Sequence, residues 1–249
     1  MIAWYPQEMV APPELTAVKV PKGDLLRRDW VNALADRVMW LALKEEDPLE
    51  AANQACRKLG LPEGRLFAYT GKLNRGKGLE FLLRVWKDWV PRHPDGTLLL
   101  IGSGARQFLS CEDALRKYVD QHGLQTSVIF AGSVSNVQEY LQASDFFLFA
   151  SESEAMPLAL MEALATGLPA VASDIGGCRA IITDGRNGRL VPPNDPAAWV
   201  AGLEALLQHP DLAASWGRAG RDTVAGQFSI AQVAEQHLVL FSRIVSVAP

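Results

Sequence analysis

The chain has no apolar run approaching the roughly 18–20 residues that a membrane-crossing helix needs. Its opening, MIAWYPQEM, has no basic stretch followed by an apolar one, so no secretory leader is expected. Cysteine is scarce: Cys56, Cys111 and Cys178 are odd in number, far apart and in no metal-ligand spacing. That argues against a disulfide framework or a zinc site and fits a reduced, cytoplasmic setting, with peripheral contact at the inner membrane face left open. Histidine is scarce too. His93, His122, His209 and His237 fall at predicted element ends or on amphipathic helices without a nucleophile or metal partner beside them, so they read as surface or packing residues. A positive excess is also missing. The net charge of −4 speaks against a nucleic-acid-binding surface but allows a local basic pocket. No internal repeat or low-complexity tract is present.

What is present is core-forming. Of 249 residues, 49% are apolar and 21% charged, the balance of a globular chain with ample interior. Residues 1–23 carry Pro6, Pro12, Pro13 and Pro21 and show no sustained period. Over 24–44, Leu26, Trp30, Leu34, Val38 and Leu41 recur at helical spacing. Asp47-Pro48 then supplies a cap and first-turn pair for a second helix, which places Ala52, Cys56 and Leu59 on one side and ends at Gly60. Residues 1–64 therefore read as an irregular and helical N-terminal extension. From 65 to 249 the pattern alternates, with apolar strand candidates at 66–70, 97–101, 127–131, 146–150, 170–172 and 188–191. Between and after them lie helical stretches at 77–90, 112–122, 136–143, from Pro157 to Gly167, 177–183, 195–207, 211–224 and 229–247. Alternation with continuously apolar strands predicts an α/β domain, a doubly wound parallel sheet covered on both faces.

Residues 151–172, SESEAMPLALMEALATGLPAVA, contain the two least expected side chains. Pro157 is placed to open a helix at its first position, where a missing N–H costs nothing. Leu158, Leu160, Met161, Leu164 and the alanines make that helix apolar on most of its circumference, yet Glu162 lies within it and Glu154 just before it. One reading points Glu162 out of a solvent-facing seam. The other turns it toward a ligand, because open parallel sheets bind ligands beyond the carboxyl ends of their strands. Helix-start N–H groups favour an anion there, and carboxylates beside an anion site suit hydroxyls, as in a sugar or ribose phosphate.

A second loop, Gly71-Lys72-Leu73-Asn74-Arg75-Gly76-Lys77-Gly78, follows the first strand. It matches G-x-x-x-x-G-K of a P-loop but ends in Gly78 where that motif needs a hydroxyl for magnesium, so nucleotide hydrolysis is disfavoured. A glycine-rich, basic loop at the ligand edge remains, alongside the alternative of an ordinary solvated basic turn. Gly102-Ser103-Gly104 lacks the third glycine of a dinucleotide fingerprint. Gly176-Gly177 is either a close approach of backbone to ligand or a simple turn.

Together these segments resemble the retaining glycosyltransferases of family 4, which have the GT-B fold. The likeness is carried by Glu154-x7-Glu162 followed by Ala163, Gly167 and Pro169, by the Gly71–Gly78 loop, and by Ile101-Gly102-Ser103-Gly104. It extends through Val128-Ile129-Phe130-Ala131-Gly132, Gly176-Gly177 and the segment from Asp184 to Pro192. The resemblance implies the C-terminal, Rossmann-like domain that binds a UDP- or GDP-type nucleotide-diphosphate-sugar donor, with no separate cofactor and no metal. It implies that Lys72 and Lys77 neutralise the diphosphate, assisted by amides at Met156, Pro157 and Leu158. Glu162 would bond the ribose hydroxyls and Glu154 the donor sugar. Gly71 and Gly102 would complete the pocket, and Gly132 to Val134 would lie by the base. Glu154, Lys77 and Lys72 form the implied catalytic set. The acceptor would be a glycan or lipid-linked saccharide, in polysaccharide biosynthesis.

Three residues depart from the family pattern. Lys72 replaces an arginine, Ala180 a glutamate, and Ala155 a glycine whose position would strain alanine if it needed a positive φ. Complete GT-B enzymes carry a second doubly wound domain, which the first 60-odd residues are too short and too helical to form. The expectation is therefore a donor half. It would be a fragment, act with an acceptor-binding subunit, or bind nucleotide sugar without transferring it.

Overall fold

A computed structural model describes residues 48–105, 107–229, 232, 233 and 236. The expected irregular segment 1–23, the helix over 24–44 with Trp30 and Trp40, and most of the helix over 229–247 lie outside the described residues.

Six strands form one parallel sheet: β1 (Arg65–Thr70), β2 (Gly96–Ile101), β3 (Val128–Gly132), β4 (Phe146–Phe149), β5 (Ala170–Ser173) and β6 (Arg189–Val191). Their order across the sheet is β3-β2-β1-β4-β5-β6. The chain thus winds outward in one direction from β1 and in the other from β4. Phe67 lies opposite Phe146 and Ala68 opposite Phe147 at the seam between the halves. A crevice opens beyond the carboxyl ends of the strands at such a reversal point.

Eight helices cover the sheet among the described residues: α1 (Pro48–Leu59), α2 (Leu79–Trp89), α3 (Glu112–Gln121), α4 (Val137–Ala143), α5 (Leu158–Ala165), α6 (Gly176–Arg179), α7 (Pro196–Gln208) and α8 (Pro210–Gln227). Because side chains alternate across each strand, the continuous apolar runs feed two cores at once. Phe67, Tyr69, Leu98, Leu100, Phe146 and Leu148 pack with α2, α3 and α7. Ala68, Leu99, Ile101, Phe147, Phe149 and Ala172 pack with α4 and α5. Phe67 centres the first core, with its ring 5.2 Å from both Trp86 and Trp89 and 4.8 Å from Phe146. Helix α1 packs on α4 through Cys56, Leu66 and Ala143, with Lys58 and Glu139 paired at 2.8 Å. No helix among the described residues is long and apolar enough to cross a membrane.

Three local differences from the sequence reading have physical causes. Pro157 is the N-cap of α5 rather than its first helical residue, with φ −78° and ψ 92°, and its carbonyl accepts from the Leu160 and Met161 N–H groups. Helix α5 is less enclosed than its composition suggests, since Leu158 is 58% exposed and Glu162 is exposed as well. Helix α6 is one turn, where seven residues were expected. Ile181 and Ile182 leave the helix to bury their side chains beside Cys178, and the Asn187 amide ties down the turn after them by donating to the Ile181 carbonyl.

Candidate functional site

The loops after β1, β2 and β3, with α5, enclose a cleft of about 580 Å³ at the reversal point. Its lining takes Thr70, Gly71 and Lys72 from the end of β1 and the loop after it, and Ile101, Gly102 and Ser103 from the end of β2 and the loop after it. Ser133, Val134 and Val137 after β3, Ala159 and Glu162 of α5, and Ala105 and Gln107 of the β2–α3 loop complete it.

The β1–α2 loop is rigidly braced. Gly71 N–H donates to Ile101 O at 2.9 Å, Leu73 N–H to Ser103 O at 3.3 Å and Arg75 N–H to Leu109 O at 2.8 Å. The opposing β2–α3 loop is anchored in turn by Glu112, which accepts from Ser103 Oγ and the Gly104 N–H, both at 2.8 Å. Burial works against the charge on Glu112, but the bonds from Gly104, Arg116 and Ser103 prevail and hold its carboxyl below the usual range. Helix α2 starts after the loop with Gly78 at φ 67°, and a Cβ there would stand 1.9 Å from the Ala150 carbonyl oxygen. No residue with a side chain fits at that position, so the loop cannot carry the hydroxyl of a P-loop.

The β4–α5 loop meets this basic loop directly. Glu152 N–H donates to Gly76 O at 3.0 Å. Lys77 Nζ pairs with Glu154 Oε1 at 2.5 Å, and the buried Ser151 hydroxyl donates to the same oxygen at 3.0 Å. Ala155 does not adopt a positive φ; among the described residues Asn194 is the one non-glycine that does. The alanine is therefore unstrained. Gly177 explains the glycine pair on the neighbouring helix, because a Cβ there would stand 2.4 Å from the Glu154 carbonyl oxygen. The close approach that Gly177 permits is to protein backbone.

Gly71, Lys72, Gly102, Val134 and Glu162 all line the cleft. Lys72 is exposed and has no ion-pair partner among the described residues. Glu162 stands on an exposed face of α5, and that face is a wall of the cleft, so the two readings of this residue merge. Desolvation in the cleft raises its carboxyl above the ordinary glutamate value. Gly132 is outside the lining and is bonded to it, since its carbonyl accepts from the Gly102 N–H at 2.8 Å. Lys77 and Glu154 are held against each other outside the cleft lining, and Met156, Pro157 and Leu158 also lie outside it. Pro157 has no N–H to offer a ligand. The Met156 and Leu158 N–H groups have no acceptor among the described residues.

Sequence reasoning did not single out Ser151, Glu112, Tyr69, Thr70 or Ala159. Ala159 was within reach, because it precedes Glu162 by three residues and so shares its helix face. Ser151 acts through a bond within its own loop and Glu112 through bonds to the loop before its helix, and neither left a periodic signal.

A family model described as glycosyl transferases group 1 matches residues 51–223, most of the chain. The chain belongs to that family. Among its group 1 relatives, the D-inositol 3-phosphate glycosyltransferase of Corynebacterium aurimucosum is 34% identical over 189 residues, covering 74% of this chain and 44% of that protein. The sucrose-phosphate synthase of Thermosynechococcus elongatus is 28% identical, with a TM-score of 0.70 over 79% of this chain and 49% of its own. The HepE protein of Anabaena, solved with UDP and glucose, has the same fold at 19% identity, with a TM-score of 0.71 over 78% of this chain and 52% of its own. The group 1 chain thus has the Rossmann-like architecture of one GT-B half, and it spans about half the length of the curated relatives it matches.

Proposed function

We propose that this chain is the donor-binding half of a retaining, family 4 glycosyltransferase that moves a sugar from a UDP- or GDP-type donor to a glycan or lipid-linked acceptor. The observation that carries the reading is a single cleft lined by both an unpaired cation, Lys72, and a partly desolvated carboxylate, Glu162. The cation suits a diphosphate and the carboxylate suits ribose hydroxyls. The UDP and glucose of the HepE structures and the mannosyltransferase name of a Rhizobium leguminosarum relative support the same ligand class.

In this reading Lys72 stabilises the negative charge that develops on the departing diphosphate, and Lys77, which lies outside the cleft lining, reaches it only by loosening its pairing with Glu154. A fixed charge placed before reaction is the largest contribution a site of this kind makes. The bond from the sugar's anomeric carbon to the diphosphate breaks, and the acceptor oxygen bonds to the same carbon on the same face. The acceptor's proton passes to a diphosphate oxygen. Glu154 contacts the donor sugar, which requires its pairing with Lys77 to be shared with the ligand. The acceptor side belongs to a second domain or subunit.

The test is donor hydrolysis with water as acceptor, following the released sugar by proton NMR. Release of the same anomer as in the donor supports retention, and release of the opposite anomer refutes it. A second reading is a nucleotide-sugar-binding module that does not transfer, in which Lys77 and Glu154 stay paired with each other outside the cleft lining. Saturable donor binding with no release, even with a supplied acceptor domain, would decide for it.

A further inference from the structure

Tyr69 is the penultimate residue of β1 and is wholly buried, with its ring in the core facing α2. If packing were the only requirement, phenylalanine would fill that space with no polar atom to satisfy. A buried phenol needs a partner. Its partner is the backbone of the basic loop: the hydroxyl donates to the Lys72 carbonyl at 3.1 Å. The Asn74 N–H donates to the same oxygen at 2.9 Å. The next carbonyl, that of Leu73, is held in the same manner by Cys111, through its N–H at 2.9 Å and its thiol at 3.3 Å. A Cβ on Gly71 would stand 2.9 Å from the Tyr69 hydroxyl, so the phenol fits beneath the loop because that residue has no side chain.

A loop that receives an anion must turn its carbonyl oxygens away from it, since their negative ends would repel the ligand. Here two successive carbonyls are drawn toward buried donors while Lys72 lines the cleft. We infer that Tyr69 is a positioning residue of the phosphate loop: its hydroxyl, by holding the Lys72 carbonyl inward, sets Lys72 to meet the β-phosphate of the donor. Burial pushes the phenol pKa up, and Glu154 and Cys111 add to the rise, so the hydroxyl stays protonated and a donor throughout the working pH range. The inference rests on the donor-site reading above and adds a division of labour to it, in which Tyr69 serves the distal phosphate and has no role toward base or ribose.

The experiment titrates the full 249-residue chain with UDP, GDP, UMP and GMP, in wild type, Tyr69→Phe, Lys72→Met and the double variant. Loss of one hydrogen bond to the loop predicts a roughly five- to tenfold weaker nucleoside diphosphate affinity in Tyr69→Phe. Nucleoside monophosphate affinity is expected to stay within about twofold, since that ligand has no β-phosphate. The ratio of the two is measured within one variant, so any loss of folded protein cancels. In the Lys72→Met background the further loss of the hydroxyl is expected to change diphosphate affinity less than about twofold, the signature of two residues acting as a unit. An unchanged ratio in Tyr69→Phe, or a full additional loss in the double variant, overturns the inference while leaving the donor site standing. A wild-type chain that binds no nucleotide overturns the donor-site reading itself, and the inference with it.

Discussion

Glu162 lines the cleft, and its raised pKa gives a pH signature. Desolvation penalises its charged form, so it takes up protons at a higher pH than an ordinary glutamate. Hydroxyl recognition needs the carboxylate. Donor affinity is therefore expected to fall as pH drops through a range above the usual carboxylate value, and Glu162→Gln removes that step. For stability the sign is opposite: the folded state holds this proton more tightly than the unfolded state, so the group's contribution declines as pH rises through its folded pKa. Glu162→Gln should thus keep or slightly raise the melting temperature at neutral pH while weakening donor binding about tenfold. Calorimetry and thermal melts on the same preparation check both. Glu162 was legible in the sequence as a charge inside an apolar helix, and Glu154 as one in the loop just before it. The pairing of Glu154 with Lys77 was not, because those residues are 77 positions apart and meet only through the β1–β4 seam.

Strands were the most readable elements. Runs such as Phe146–Phe149 are apolar throughout because both faces are covered, and the structure places all six candidates within a residue or two. Helix α5 was readable in position, from Pro157 and Gly167, but not in exposure. Its composition cannot reveal that one face forms the wall of a cleft. Helix α6 was misjudged in length because tertiary burial of Ile181 and Ile182 overrides local propensity. The loops yield two predictions. Gly78→Ser completes the P-loop motif on paper, yet it puts a Cβ on the Ala150 carbonyl at a positive φ. It is expected to cost about 1–3 kcal/mol of stability and to create no nucleotide hydrolysis, as denaturant titration and a phosphate-release assay would show. Gly177→Ala collides with the Glu154 carbonyl and is expected to lower the melting temperature and weaken donor binding together. An unchanged melting temperature would mean that the acidic loop yields freely.

At the scale of the whole molecule, the strand order accounts for the site. The order β3-β2-β1-β4-β5-β6 brings the basic loop after β1 and the acidic loop after β4 side by side, although Lys77 and Glu152 are 75 positions apart. Sequence alternation implied a doubly wound sheet, and the family motifs implied which strands flank the crevice. Neither could supply the depth of the cleft or the bracing beneath it. In the proposed mechanism the lysines supply the countercharge to the diphosphate, so a chelator such as EDTA is expected to leave donor binding unchanged. A loss that magnesium restores would assign that charge to a metal.

Lys72 and Glu162 line one cleft, so a single nucleoside diphosphate is expected to engage both. Calorimetric titration of the chain with UDP and GDP in metal-free buffer tests it most directly. One saturable site for one of the two nucleotides is expected, weakened about tenfold in both Lys72→Met and Glu162→Ala with the fold intact. Binding that is unchanged in both variants, or no binding to either nucleotide by the wild-type chain, would contradict it.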